Sequence, residues 1–285
     1  GNINLLKLPQ ADGGLSVEAV RCMLEIEPEL ADYIYIFDTP SSDVVTLQRL
    51  AALCDGIITW GGDAAIEAVR RFAPVGAKLI EWGHRLSFAY ISGYEDEQLE
   101  LRALAEHIIQ TKQLLCSSCQ GIYVEAEGRE AVDFSRRFLR LLEHSYEEYG
   151  NKEVGFRGCS TIRIYQKELE SAMTGERIFR GRGVSVTLSE EPGLQLSLMY
   201  GSCWVKPMNR EKLVKTLRKD RGRLQTARLV CLEEEETELV RMLAGAGVNR
   251  ILTGRDKEAG EQFGSHDGEY PLIRYSRIIE TDVSL

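Results

Sequence analysis

Chemistry in this 285-residue chain concentrates at Gln113-Leu-Leu-Cys116-Ser-Ser-Cys119-Gln120. A helical pattern runs up to this stretch, and an apolar run, Gly121-Ile-Tyr-Val-Glu-Ala126, leaves it. A cysteine at a helix-to-strand junction can be held rigid, partly open, and lined with backbone N–H groups. Such groups stabilise a thiolate or an oxyanion formed from it. The alternative is a buried, inert thiol. Cys116-x-x-Cys119 has the spacing of half a zinc site or of a dithiol. No second Cys or His doublet completes a metal site, and a thioredoxin-like pair opens a helix where this one follows it. No metal is expected.

Other candidates precede it. Gly61-Gly62 lies at a strand-to-helix turn, where a phosphate or cofactor ring can approach the backbone, or where glycine serves the turn alone. The full G-x-G-x-x-G pattern is absent. Lys7 ends an apolar strand where ligands of open α/β sheets gather, and could equally be a lysine reaching past an edge strand to water. Glu81 closes another strand, either as a proton carrier or as a partner of Arg85. His107 and His144 lie within helices and are expected at the surface, and His266-Asp267-Gly268 reads as a turn.

The elements that must position these residues alternate. Apolar runs at 3–8, 33–37, 56–60 and 77–81 each precede a helical pattern or a loop, which predicts βαβ units and a largely parallel sheet. Ser16 is the expected N-cap of a helix over 16–26. A helix over about 95–111, with Leu101, Leu104, Ala105 and Ile108 on one face, delivers the chain to Cys116. Further expectations are a helix at 130–147, a hairpin pairing 184–188 with 194–198 around Pro192-Gly193, helices at 209–219 and 235–246, and strands at 227–232 and 248–252.

Composition sets bounds. Hydrophobic residues make up 44% and charged residues 28%, ordinary globular values. The net charge of -9 argues against a nucleic-acid or anionic-membrane surface. No apolar run is long enough to span a membrane, and no basic-then-apolar leader appears. Seven scattered cysteines suit a reducing compartment, so a cytoplasmic protein is expected.

In order, Asn2-Ile-Asn-Leu-Leu-Lys-Leu8, Trp60-Gly-Gly62, Glu81-Trp-Gly-His-Arg-Leu-Ser-Phe88, Cys116-Ser-Ser118 with Gln120, Gln225-Thr226, Gly247-Val-Asn-Arg-Ile251 and His266-Asp-Gly268 resemble the aldehyde dehydrogenase superfamily. The closer match is its LuxC-type acyl-CoA reductase branch. The resemblance implies an aldehyde-dehydrogenase-like α/β fold. It implies a partial Rossmann-type cofactor domain over 1–112, a catalytic thiol domain over 113–254, and a tail over 255–285 returning to the cofactor domain. It further implies that a segment before Asn2, holding the front of the cofactor domain and an oxyanion-hole asparagine, belongs to the complete family pattern.

The resemblance makes Cys116 the acyl-accepting nucleophile and matches Glu81 to the superfamily's general base. Lys7 is placed beside the adenosine ribose, and Trp60, Gly61 and Gly62 near the diphosphate or nicotinamide. The implied reaction is NADPH-dependent reduction of an acyl-CoA or acyl-protein thioester to an aldehyde through a thioacyl enzyme, with NADH as the alternative cofactor. Cys119 stands where the family usually has proline. The basic block from Lys206 to Arg228 is a solvated face, or could meet coenzyme A phosphates. A CoA-acylating aldehyde dehydrogenase, or a non-catalytic module of a reductase complex, are the alternative functions. A homo-oligomer or such a complex is the expected assembly.

Overall fold

The computed structural model describes residues 2–10, 12–150, 154–253, 264–280 and 282. The chain divides into two compact units, one of residues 1–83 with 273–285 and one of residues 84–272.

The first unit alternates as expected: β1 (Asn4–Lys7), α1 (Leu15–Ile26), β2 (Ile34–Phe37), α2 (Val44–Ala51), β3 (Gly56–Trp60), α3 (Asp63–Phe72) and β4 (Lys78–Trp82). β1 pairs with β2 and β3 with β4, both in parallel. The Asp43 carboxylate accepts from the Thr46 N–H at 3.1 Å and caps α2. Ser16 is not a cap: α1 starts from Gly14, and Ser16 N–H donates to the Asp12 carboxylate at 3.1 Å. The aspartate outcompetes the serine hydroxyl because it brings charge to the same orphan N–H groups.

The second unit holds β5 (Leu86–Ile91), α4 (Glu97–Gln110), β6 (Cys119–Val124), α5 (Gly128–Tyr149), α6 (Val154–Thr174), β7 (Arg177–Arg180), β8 (Ser185–Leu188), β9 (Ser202–Pro207), α7 (Arg210–Leu217), β10 (Leu224–Val230), α8 (Glu233–Ala246) and β11 (Arg250–Leu252). A short α9 (Pro271–Tyr275) follows. Seven strands form one sheet, ordered β11-β10-β5-β6-β9-β8-β7, parallel except for β7 against β8. Side chains alternate between two cores. Ala89, Ile91, Ile122 and Val205 meet α4 and α5 residues such as Leu104, Ile108 and Phe138. Phe88, Tyr90, Tyr123 and Trp204 meet α7 and α8 residues such as Leu213, Leu217 and Leu239.

The expected hairpin does not form. β8 pairs with β7 and β9, while 194–198 runs outside the sheet. Sheet side chains take up the polar groups of this segment. Tyr123 Oη donates to Pro192 O at 2.9 Å, Trp204 Nε1 to Gln195 O at 3.0 Å, and Lys206 Nζ to Gly193 O. The segment is thus a strap over an aromatic sheet face, and Leu194 packs into that core.

Candidate active site

Cys116 is exposed on the loop between α4 and β6, at the amino-terminal edge of the parallel sheet. The loop is held from all sides. Ser118 folds it back, its Oγ accepting from Leu115 N–H at 3.0 Å and its N–H donating to Leu115 O at 3.0 Å. Ser87 Oγ donates to Cys116 O at 2.7 Å while accepting from Thr226 N–H at 3.1 Å, which ties the loop to β5 and β10.

Two buried glutamines complete the frame. Gln113 donates to Cys119 O at 3.1 Å and accepts from Gly201 N–H at 3.1 Å. Gln120 donates to Gln113 O at 3.1 Å and accepts from Ser197 N–H and Oγ at 3.1 and 2.9 Å. These bonds hold Lys112 and Gln113 in the left-handed region, with φ of 52° and 59°. That conformation costs non-glycine residues on the order of 1 kcal/mol each.

His107 is no surface residue. Its Nδ1 accepts from Arg228 at 2.9 Å, its Nε2 lies 3.4 Å from the Cys119 amide, and its ring also bonds the Ser117 backbone. Burial, then the Arg228 charge, push its pKa down to about 4, so the ring is neutral at pH 7. Nothing among the described residues accepts from the N–H groups of Cys116 and Ser117. The loop therefore presents an exposed thiol beside free donors on a fixed backbone. Cys119, by contrast, is buried in the core, and burial pushes its thiol up to about 12. It is a packing residue, and no metal-holding group of side chains occurs among the described residues.

The other candidates lie in the first unit. Lys7, at the carboxyl end of β1, donates to Ser41 Oγ at 2.9 Å. Trp60 ends β3, 63% exposed, its ring stacked 6.4 Å from that of Trp82. Gly61 N–H donates to Trp82 O at 3.2 Å, and a Cβ there would stand 3.0 Å from Ala65 Cβ. Gly62 precedes α3 with open space around it. Glu81 pairs with Arg70, not Arg85: two bonds of 2.5 and 2.6 Å hold its carboxylate below its usual pKa. Arg85 instead pairs with Asp267 at 2.9 Å.

The family model for acyl-CoA reductase (LuxC) matches residues 1–278. The chain belongs to the LuxC family. Long-chain acyl-protein thioester reductase of Vibrio harveyi is 22% identical over 243 residues, which cover 84% of this chain and 49% of that protein. The Aliivibrio fischeri protein of the same name is 22% identical over 251 residues, 83% of this chain and 49% of its own. This LuxC-family chain thus spans about half the length of these relatives. A putative methylmalonate-semialdehyde dehydrogenase from Sinorhizobium meliloti 1021, solved with NAD, superposes with a TM-score of 0.65 at 13% identity. The superposition covers 88% of this chain and 55% of that one, and shows an aldehyde-dehydrogenase-like fold.

Several family motifs turn out to be scaffolding in this LuxC-family chain. Arg85, Gln225 and Asp267 form one cluster, with Gln225 Nε2 donating to Asp267 at 2.5 Å and the Asp267 side chain buried. His266-Asp267-Gly268 is the turn that carries that aspartate. The basic block is not one solvated face: Lys206 is fully buried in β9 with its amine over the Trp204 ring, and Arg228 serves His107. His144 is at the surface, as expected. Ser87, His107 and Gln113 were missed as site residues. The signal for the glutamines was a polar residue at each end of the thiol segment.

Proposed function

We propose that this chain carries the thiol half of an acyl thioester reductase, with Cys116 as nucleophile. One observation supports this above others: an exposed thiol on a clamped loop whose N–H groups at 116 and 117 have no acceptor among the described residues. Cys116 thiolate attacks the thioester carbonyl and expels the thiol of coenzyme A or of an acyl-carrying protein, leaving a thioacyl enzyme. A reduced nicotinamide, when bound, would supply the hydride for that carbonyl. The Cys116 and Ser117 N–H groups take the charge of the oxyanion, which collapses to aldehyde and frees the thiolate. The clamps keep these donors from turning away.

The first unit's residues fit a nicotinamide cofactor. Lys7 places an amine at the carboxyl end of β1 for a ribose hydroxyl. Among the described residues, chain neighbours aside, no heavy atom lies within 4 Å of where a Gly62 Cβ would stand, so that turn offers close approach. Asp63, opening α3, disfavours a diphosphate there. We therefore assign Trp60, Gly61 and Gly62 to the nicotinamide side. NADPH is our choice of cofactor, on family grounds. In this reading residues 1–83 with the tail from 273 serve the cofactor, and residues 84–272 the acyl chemistry. Glu81, chelated by Arg70, is a brace and not a base. No helix among the described residues is long and apolar enough to cross a membrane, and we place the protein in the cytoplasm on its seven scattered cysteines.

The test is acyl-enzyme formation with radiolabelled acyl-CoA in the absence of nicotinamide. Wild-type protein takes up label, and Cys116→Ala takes up none. Undiminished label in Cys116→Ala removes Cys116 from the role.

A further inference from the structure

Two peptide planes of the thiol loop meet at Ser117, and each is held from outside the loop. The Ser118 N–H donates to Leu115 O at 3.0 Å, which closes a four-residue turn with Cys116 and Ser117 at its centre. The first plane carries the Cys116 carbonyl and the Ser117 N–H, which point opposite ways because the bond is planar and trans. Ser87 Oγ donates to that carbonyl at 2.7 Å, so the Ser117 N–H is turned away from β5.

The second plane carries the Ser117 carbonyl, and His107 holds it. Arg228 can only donate, so the His107 Nδ1 that it meets at 2.9 Å bears no proton. The one proton of the neutral ring is therefore on Nε2. The bond between the ring and the Ser117 backbone favours the protonated ring, as only a carbonyl acceptor does. Nε2 thus donates to Ser117 O, and the Cys119 N–H at 3.4 Å is a neighbour of that bond. Packing alone does not call for such a ring: Leu104 and Ile108, beside it on α4, fill the core as plain aliphatic side chains.

We propose that His107, its tautomer set by Arg228, is a positioning residue that aims the Ser117 N–H at the oxyanion formed on the acyl carbonyl. This rests on the reading of Cys116 as nucleophile. Ser87 fixes the carbonyl before Ser117 and His107 the carbonyl after it, so the N–H turns only when one of two bonds breaks. Strand β10 backs both arms. Its Thr226 N–H donates to Ser87 Oγ at 3.1 Å, and its Arg228, two residues on, donates to His107.

Two reactions of one thiol test this, compared at their high-pH plateaus, where the thiol is ionised. Acylation by acyl-CoA without nicotinamide builds charge on a carbonyl oxygen, whereas alkylation by iodoacetamide builds none. Both are followed on the peptide holding Cys116 by mass spectrometry. His107→Leu should slow acylation about 10- to 100-fold and leave alkylation within about twofold. His107→Gln should bring acylation back to within about threefold of wild type, because its amide can donate to Ser117 O and accept from Arg228. If His107→Leu does not fold with Arg228 facing it, His107→Asn, too short to reach both partners, takes its place. Acylation of the leucine variant at the wild-type rate, a fall in both reactions together, or a glutamine variant as slow as the leucine one would overturn the positioning role alone. A wild type that takes no acyl group on Cys116 would overturn the reading beneath it as well.

Discussion

The two compact units are built to different standards. In the second, every residue of β5 and β6 is buried, aromatic and aliphatic cores cover both sheet faces, and the thiol loop hangs on buried polar side chains. In the first, the described apolar residues that are buried are Val20, Ala51, Ile66, Ile80 and Trp82, and the described strands pair two by two. The candidate nucleophile stands on the rigid unit, and the candidate cofactor residues stand on the thin one. A nucleophile must be held within a fraction of an ångström, whereas a cofactor site tolerates adjustment as its ligand docks.

Substitutions can break this contrast. The largest effect belongs to Gly121, where an added Cβ would stand 2.0 Å from Trp204 Cδ2. Gly121→Ala should cost about 3 kcal/mol or more, or unfold the second unit, as read by urea denaturation. Gln113→Leu comes next. It strands the Cys119 carbonyl and the Gly201 N–H, at about 2–3 kcal/mol, and should slow acylation of Cys116 although the thiol is untouched.

Acid should act on the second unit through His107. Its native pKa is about 4, below the value of about 6.5 of an unfolded chain, so the unfolded state binds the extra proton between them. Stability present above about pH 6.5 is therefore lost as pH falls through about 4, by about 3 kcal/mol, and His107→Gln should flatten that pH profile. The smallest change in stability is at Gly62→Ala in the first unit. With space open and an ordinary φ of -72°, it should shift unfolding by less than about 0.5 kcal/mol while weakening NADPH binding in a fluorescence titration. A large loss of stability there would dissolve the contrast between the units.

What could be read from residues alone follows the same divide. The first unit's strands are half-buried or edge-like, and their apolar runs stand apart between turn residues, so β1 to β4 were legible. β5, Leu86-Ser-Phe-Ala-Tyr-Ile91, is buried on both faces and shows no alternation, so it did not separate from the loop before it. α6 hid behind Gly155 and Gly158 and its branched residues. The predicted hairpin fails because Leu194-Gln-Leu-Ser-Leu198 alternates like a strand, yet its polar groups bond the side chains of Trp204 and Gln120. Cys116 was legible from its junction. Its clamps were not, because Gln113 and Gln120 find Gly201 and Ser197 some eighty residues downstream, and Ser87 and His107 lie on other elements.

The most direct measurement is peptide mapping by mass spectrometry after a brief exposure of the whole chain to a long-chain acyl-CoA. Seven free thiols compete, and Cys22 and Cys159 are exposed as Cys116 is. Exposure alone would spread the acyl mass over all of them. A built site predicts that it gathers on the peptide holding Cys116 and is lost from there when NADPH is added. Equal acylation of Cys22, Cys116 and Cys159, indifferent to NADPH, would contradict the account.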